Sequence, residues 1–517
     1  MGRAIVIGTG AGGLTAAIEL AQQGHPVVAL DAAEQFGGFL NPYTSQRYSF
    51  DVGIHYLGLL EPDETLHMLY ERLGLDAGEL FCPMDQDVFD LVRFPDFELR
   101  IPVGLDRYQD RLASAFPEDR RDINRFFKLL SRVARLADTI SQIPLRRRRL
   151  ADLRALPGFP IAVRWLQRSF GDLLTSAFRN PRLRSVIAAQ CGDYGQPPSR
   201  APALLGLGLI LYFAEGAFFP RGGSGRLRDA LVARGRALGV RYRPRATVTT
   251  IHVNSQRVTG VSLESGERLE ADAVISTIDP TLTYGRLLRA EPLPPRLRAK
   301  VDSTEPSLGS LCLLFGMRRD LSEHGLGAFN VWDYADWDLE APYRKLFANE
   351  MQDGSFYLLA PNSLKDDTRS LAPDGCSTLE VITLCPYQPF ARWDGLPATG
   401  RGVDYEEFKR SAADRLRSAV ERNWPGLIGD VEVEEVTSPL TNISHAGSVQ
   451  GGTYGPASTL AQFGPNGFSY RTPIDGLFLA GAGVYGGGVA PCQLSGLLAA
   501  LAATKALSDS DRKGVRP

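Results

Sequence analysis

Cysteine is scarce in this chain of 517 residues. The six present, Cys82, Cys191, Cys312, Cys376, Cys385 and Cys492, form no C-x-x-C pair and no zinc-like spacing. A disulfide-stapled scaffold and a metal centre are therefore not expected, and reduced thiols are. An excess of charge of either sign is also missing. Lys and Arg total 57 against 59 Asp and Glu, a net charge of -2, so nucleic acid is not expected as a partner. No apolar leader fits before a first strand that begins at residue 3, and Met1-Gly2 lacks the Ser or Thr of a myristoylation signal. The chain thus reads as cytoplasmic. There is no internal repeat. A long apolar run occurs at Gly476 to Ala503, uncharged and long enough to span a bilayer. Its seven glycines and Pro491 break it, which predicts a strand, a glycine loop and a buried helix rather than a membrane span.

What is abundant is glycine, in the places where it matters. Arg3 to Ile7 is a short apolar run of the kind a buried parallel strand needs, and it ends at Gly8, Gly10 and Gly13 in G-x-G-x-x-G spacing. The first glycine permits the tight turn, the second lets backbone approach a pyrophosphate, and the third lets the next helix lie against the strand. Leu14 to Gln23 reads as that helix, closed by Gly24. Val27 to Leu30 is the second strand, and Asp31 follows about 20 residues after the triplet, where an acid accepts from adenosine ribose hydroxyls. An ADP-containing dinucleotide is the expected ligand.

A length of 517 residues exceeds one hydrophobic core, so two domains are expected. A second nucleotide-domain block starts at Phe218, with a helix from Gly225 to Leu238 and strands at Val240 to Tyr242 and Ala246 to Ile251. Val258 to Leu263 and Glu267 to Ala271 read as a hairpin, and Ala273 to Ser276 as a buried strand. The third block has a strand at Leu477 to Ala480, glycines 481, 483 and 486 to 488, and a helix from Pro491 to Leu507. The predicted fold is α/β: a discontinuous Rossmann-like domain of residues 1–74, 217–306 and 437–517 beside a substrate domain of residues 75–216 and 307–436. In the latter, Leu75 to Gly216 reads as a helical lid, and strands at Ser310 to Met317, Phe356 to Ala360 and Thr378 to Leu384 read as a mixed or antiparallel sheet. A helix is expected at Tyr405 to Asn423.

At Phe50-Asp51-Val52-Gly53-Ile54-His55-Tyr56-Leu57-Gly58 the chain resembles the carotenoid desaturase, carotenoid isomerase and retinol saturase group of flavoproteins, the saturase branch above all. Gly37-Gly38 and Phe219-Pro220-Arg221-Gly222-Gly223 match motifs of that group. So do Gly451 to Gly455, Gln462 and the run from Thr472 to Gly483. Two positions depart from it: Phe39 stands where many relatives carry arginine, and Gly483 where saturase-like members carry an acid. Redox direction is therefore left open. The resemblance implies bound FAD, glutathione-reductase-like in fold. With the glycine blocks it implies contacts from Gly8, Gly10, Ala11, Gly12, Gly13, Asp31, Ala32, Gly37, Gly38, Phe39, Gly53, Ile54, His55, Val248, Gly481, Ala482, Gly483, Gly488 and Val489.

A second nicotinamide fingerprint is not visible, which favours tightly held FAD exchanging a hydride at N5 with a carbon of a long apolar polyene or isoprenoid-like substrate. The electron partner is open among NAD(P)H, a quinone and oxygen. His55 is the expected proton-transfer group, because histidine titrates near pH 6.5. Tyr56 and Tyr454 are expected beside it, and Tyr43, Phe50, Phe218 and Phe219 are further candidates for the cavity wall. Asp51 is expected to hold its loop, and Cys492 to be structural. Arg146 to Arg149, followed by apolar residues, suit peripheral contact with an anionic membrane face and compete there with a solvated helix face. Isomerisation without net redox turnover, and aromatisation of a cyclised, carrier-bound polyene, remain alternatives within the flavoenzyme reading. A prenyl-lipid escort protein without chemistry is the alternative outside it. Amine oxidases share the architecture, but the Phe50 to Tyr56 stretch does not point to them.

Overall fold

The computed structural model describes residues 2–142 and 159–514. Arg146 to Arg149, and with them the proposed membrane-facing cluster, lie outside the described residues. The opening pattern folds as its periodicity requires: Ala4–Ile7 is a fully buried strand, Ala11–Gln22 a helix, and Val27–Leu30 a second parallel strand. These belong to a five-stranded parallel sheet in the order Leu477–Leu479, Ala273–Ser276, Ala4–Ile7, Val27–Leu30, Arg241–Arg243. Three segments remote in sequence are thus hydrogen-bonded neighbours, as a discontinuous nucleotide fold demands. The antiparallel strands Val248–Asn254, Arg257–Leu263 and Arg268–Glu270 form a small separate sheet.

A seven-stranded mixed sheet forms the second layer, ordered Val431–Thr437, Gly309–Met317, Ser377–Cys385, Phe356–Ala360, Asn330–Tyr334, Asp90–Phe94, Phe97–Ile101. Only the Asn330–Tyr334 to Asp90–Phe94 pairing in it is parallel. The segment expected as a purely helical lid therefore supplies two strands of this sheet. Asp90 and Arg93 interrupt the apolar alternation that would have announced the first of them. Asn330–Tyr334 and Val431–Thr437 were likewise not foreseen, and the latter runs past residue 436, where the second insertion was expected to end. The helices Leu105–Ala115, Arg120–Gln142, Phe170–Ala177, Pro181–Ala188 and Ala203–Tyr212 do pack over one face, sharing a large apolar core with the sheet.

Val489–Gly514 is the one described helix long and apolar enough to cross a membrane. It packs along Ala11–Gln22 with glycine against glycine. A Cβ on Gly496 would lie 2.2 Å from the Gly12 carbonyl oxygen, so nothing larger is admitted at the crossing.

Candidate active site

The nucleotide cradle is built where the two helices begin. Gly8 has φ +89°, and a Cβ there would meet the Thr277 hydroxyl at 2.6 Å. A Cβ on Gly13 would sit 2.0 Å from the Gly8 carbonyl oxygen, so the helix rests directly on the turn. Gly10 differs: its Cβ would face open space, with the Gly37 carbonyl oxygen the nearest atom at 4.0 Å. Gly38, with φ +55°, faces Gly10 from the other side. The result is a glycine-lined gap at two helix N-termini, the place where backbone amides and helix dipoles favour a pyrophosphate. Asp31 is oriented at its edge, its carboxylate accepting from the Thr9 amide at 2.9 Å, from the Ala33 amide at 2.9 Å and from the Thr9 hydroxyl. A carboxylate offers about four lone-pair sites, so acceptor capacity is left for ribose hydroxyls.

The other nucleotide-block residues gather nearby. Gly12 abuts the Gly481 amide and the Cys492 carbonyl, and Gly481 approaches the Thr277 carbonyl. Gly483 packs on Pro280, and the Ala482 side chain faces Gly455. Ala11, Ile54 and Val489 share an apolar cluster, Gly488 precedes the final helix at φ +96°, and Gly53 lies against the Phe39 carbonyl. Ala32 is exposed in the bend after Asp31, and Val248 is buried in an apolar core with Leu30 and Ile251.

Beneath the Asp51 to Tyr56 stretch lies a buried polar cluster. Asp51 accepts from the Ser224 amide at 2.8 Å and the Ser224 hydroxyl at 2.5 Å, and a Cβ on Gly223 would touch its carboxylate. It thereby ties its loop to the N-terminus of helix Gly223–Ala237, the holding role expected of it. Burial, reinforced by the charge of Glu380, raises Asp51 to about 7. Glu380 has no accessible surface. Its Oε1 accepts from the Asp51 amide at 2.8 Å, its Oε2 lies 3.3 Å from His55 Nδ1, and burial raises it to about 8. Lys365 donates to the carbonyl of His55 at 3.0 Å, to Asn362 Oδ1 at 2.8 Å and to Asn330 Oδ1. Burial lowers it to about 7.

His55 arrives at the site in a different state from the one expected. Burial first, then the Lys365 ammonium, hold it down to about 3, so the ring is neutral across the range in which a free histidine titrates. Its side chain nevertheless keeps 17% of its surface accessible. Tyr56 turns away into the protein: its ring stacks on Phe213 at 4.3 Å, and its hydroxyl lies 2.6 Å from Asp193 Oδ2 and 3.0 Å from Asp90 Oδ2. Tyr454 meets the same segment from the opposite side, donating to the Gly192 carbonyl at 2.9 Å while its ring packs on Gly195 and Gly487. Phe50 and Phe219 have no accessible surface, so they are core residues and not cavity wall. Tyr43 sits in an edge ribbon beside Glu435, and Phe218 pairs with strand Phe81–Pro83. The Cys492 thiol is pushed up to about 12 by burial, which suits the structural role expected of it.

Glu380, Lys365, Asp90 and Asp193 did not emerge from the sequence. A signal existed: Glu380 is a lone acid inside an apolar strand, Asp90 heads the strand Asp90–Phe94, and Asp193 is a lone acid between turn glycines in Cys191-Gly192-Asp193-Tyr194-Gly195. A buried unpaired charge is what deserves suspicion.

The chain is 27% identical to an all-trans-retinol 13,14-reductase of Rattus norvegicus, over 96% of this chain and 83% of that protein. It is 26% identical to a chloroplastic prolycopene isomerase of Daucus carota, over 96% and 79%. Among solved structures it resembles an oxidoreductase from Methanosarcina mazei with TM-score 0.65 and 15% identity, covering 97% of this chain and 100% of that one. It also resembles putrescine oxidase bound to putrescine, with TM-score 0.61 and 16% identity, covering 97% and 98%. The sequence profile of the flavin-containing amine oxidoreductases matches residues 11–503, a span that takes in the buried cluster, the mixed sheet and every strand of the parallel sheet but the first. The chain belongs to the flavin-containing amine oxidoreductase family and is an FAD-dependent oxidoreductase.

Proposed function

We propose that this flavoenzyme adds or removes the two hydrogens of a carbon-carbon double bond in a long apolar polyene. The observation that carries the reading is that the groups beside the cradle are held uncharged. His55 is pushed down to about 3, and burial raises the Tyr454 phenol well above its ordinary range. An uncharged wall suits an apolar chain, and a conjugated substrate disperses developing charge over its own π system. The relatives in rat and carrot agree in class, since retinol and prolycopene are both conjugated isoprenoids.

FAD fits the residues present. The gap over Gly10 is one that any Cβ would fill, and Gly38, Asp31 and the first turns of Ala11–Gln22 and Val489–Gly514 would hold the dinucleotide. When bound, it supplies a hydride donor or acceptor at N5. The chain's own residues position the polyene and exclude water, and His55 and Tyr454 are assigned to the wall that does so, with Tyr56 buried beside them. The division into an FAD-binding unit of residues 1–74, 217–306 and 437–517 and a substrate unit of 75–216 and 307–436 is part of this reading. So is access from a membrane face. Helix Phe159–Trp165 and its flank leave Val163 and Leu166 exposed next to Arg164 and Arg168, which lie over the Trp165 ring.

Anaerobic rapid mixing of oxidised and of reduced holoenzyme with all-trans-retinol and with prolycopene tests the proposal. Bleaching or recovery of the flavin colour at a rate that follows polyene concentration supports it and fixes the direction. Conversion of prolycopene with no net flavin change supports the isomerase reading, which the likeness to the carrot protein favours. A colourless purified protein would leave only lipid escort, and oxidation of amines alone would overturn the polyene reading.

A further inference from the structure

The contacts of Tyr56 do not balance unless a carboxyl carries a proton. Its hydroxyl has a single hydrogen yet lies within hydrogen-bond distance of two carboxyls, Asp193 at 2.6 Å and Asp90 at 3.0 Å. The two acids are not equivalent. Asp90 also accepts from Gln190 Nε2 at 2.6 Å, Asn330 Nδ2 at 3.2 Å and Trp332 Nε1 at 3.3 Å, donors that favour its anion and offset part of the burial that raises it to about 7. Asp193 has only Tyr56 for a hydrogen-bonding partner among the described residues. The consistent arrangement has Asp193 donating to the Tyr56 oxygen and Tyr56 donating to Asp90.

The two ends of this chain also differ in access. Asp90 has no accessible surface and Tyr56 is 8% exposed, whereas Asp193 is only half-buried. Its neighbour Gly192 is held by Tyr454, which packs on Gly487 of the C-terminal glycine loop. Tyr56 belongs to the stretch whose Gly53 rests on Phe39, just after Gly37 and Gly38. The open end of the pair is thus attached to the nucleotide cradle from two sides.

We propose that Asp193 is the catalytic acid and base of the reaction, and that Tyr56 joins it to Asp90 as two carboxyls sharing one proton. This rests on the polyene reading above. In saturation, reduced FAD held in the cradle would supply the hydride to one carbon of the double bond. The Asp193 O–H bond breaks and a C–H bond forms at the neighbouring carbon, so the substrate gains two hydrogens and two electrons. Asp193 is left as a carboxylate accepting from Tyr56, and water returns its proton when product leaves. Desaturation would be the reverse, with Asp193 taking the proton from the carbon next to the one that gives up hydride to the cofactor. Burial and the nearby negative charge of Asp90 raise Asp193 well above the carboxylate range, which agrees with a stored proton. His55, neutral and hard to protonate, is not suited to the donor's role.

The test uses holoenzyme of the parent, Asp193→Asn and Tyr56→Phe. Infrared difference spectra of the parent should show a protonated carboxyl that Asp193→Asn lacks and Tyr56→Phe shifts. With polyene in D2O, parent product should carry solvent deuterium on the carbon next to the one receiving hydride. Asp193→Asn should slow flavin oxidation by the polyene about 10²- to 10⁴-fold at unchanged FAD content. Tyr56→Phe keeps the ring on Phe213 and serves if Asp193→Asn fails to fold. A carboxyl band unchanged in both variants, or product without solvent deuterium, overturns the proposal while the polyene function stands. If no polyene reacts with the parent enzyme, the function falls and the catalytic role with it, and the infrared comparison still decides whether the two acids share a proton.

Discussion

His55 Nδ1 faces Glu380 Oε2 at 3.3 Å, across a contact between the stretch that follows the nucleotide cradle and a middle strand of the mixed sheet. Burial acts on the two in opposite senses, raising Glu380 to about 8 and lowering His55 to about 3. At neutral pH the proton therefore resides on the carboxyl and the ring beside it is neutral.

Nitrogen NMR of histidine-labelled protein should accordingly show one ring, absent in His55→Gln, that stays neutral from pH 5 to 8. A resonance of that ring titrating near 6.5 would refute the assignment. With His55 outside the proton path, His55→Ala should slow flavin redox by less than about tenfold, below the usual worth of general acid-base catalysis.

Glu380 makes stability fall with rising pH. Its folded pKa of about 8 lies above its ordinary 4.5, so between those values the folded state holds a proton that the unfolded state has lost. Stability present below 4.5 is lost as pH climbs through 8. The neutral His55 acts oppositely, with a contribution that tapers off above pH 6.5 and is common to parent and variant. Urea unfolding of parent and Glu380→Gln from pH 6.5 to 8 should show the parent losing ground to the variant, by at most ~1.4 kcal/mol per pH unit. A difference that is flat or grows with pH would contradict this.

Gly10 and Gly13 should fail in different ways when replaced. A Cβ at Gly10 meets nothing nearer than 4.0 Å, so Gly10→Val should fold with near-parent circular dichroism and lose its flavin. At Gly13 the Cβ lands 2.0 Å from the Gly8 carbonyl, so Gly13→Ala should cost stability by about 1–3 kcal/mol or more. Full flavin occupancy in Gly10→Val would displace the cradle.

Lys365→Met should destabilise by about 3–5 kcal/mol, because it strands three acceptors, the His55 carbonyl and the side-chain oxygens of Asn330 and Asn362, among buried acids. Lys365→Arg should not rescue, since a planar guanidinium does not match three acceptors gathered round one nitrogen. Thermal melts of the holoproteins decide it, and a loss under about 1 kcal/mol for Lys365→Met would assign the lysine a marginal part.

The nucleotide half was legible because its determinants are local. The turn at Gly8, the close packing at Gly13 and the acid at Asp31 lie within one strand-helix-strand unit, and their spacing alone specifies the geometry. The strand Ala273–Ser276 was likewise placed correctly by its apolar run. The sheet of the second layer was read only in part. Asp90–Phe94 and Asn330–Tyr334 carry charged residues that mask their period, and the acids Asp90 and Asp333 are buried because partners from elsewhere satisfy them.

The sequence by itself determined that the chain binds a dinucleotide and which glycines make room for it. Backbone approach and helix-strand packing depend on residues a few positions apart, so spacing suffices for them. Only the tertiary structure decided which acids meet and where protons rest. Asp51 and Glu380 lie 329 positions apart, and Tyr56 and Asp193 137 apart, yet each pair is in hydrogen-bond contact. A pKa is set by loss of water and by neighbours brought in from distant segments, so the folded chain moved His55 out of its expected range and left the raised, accessible carboxyl at Asp193.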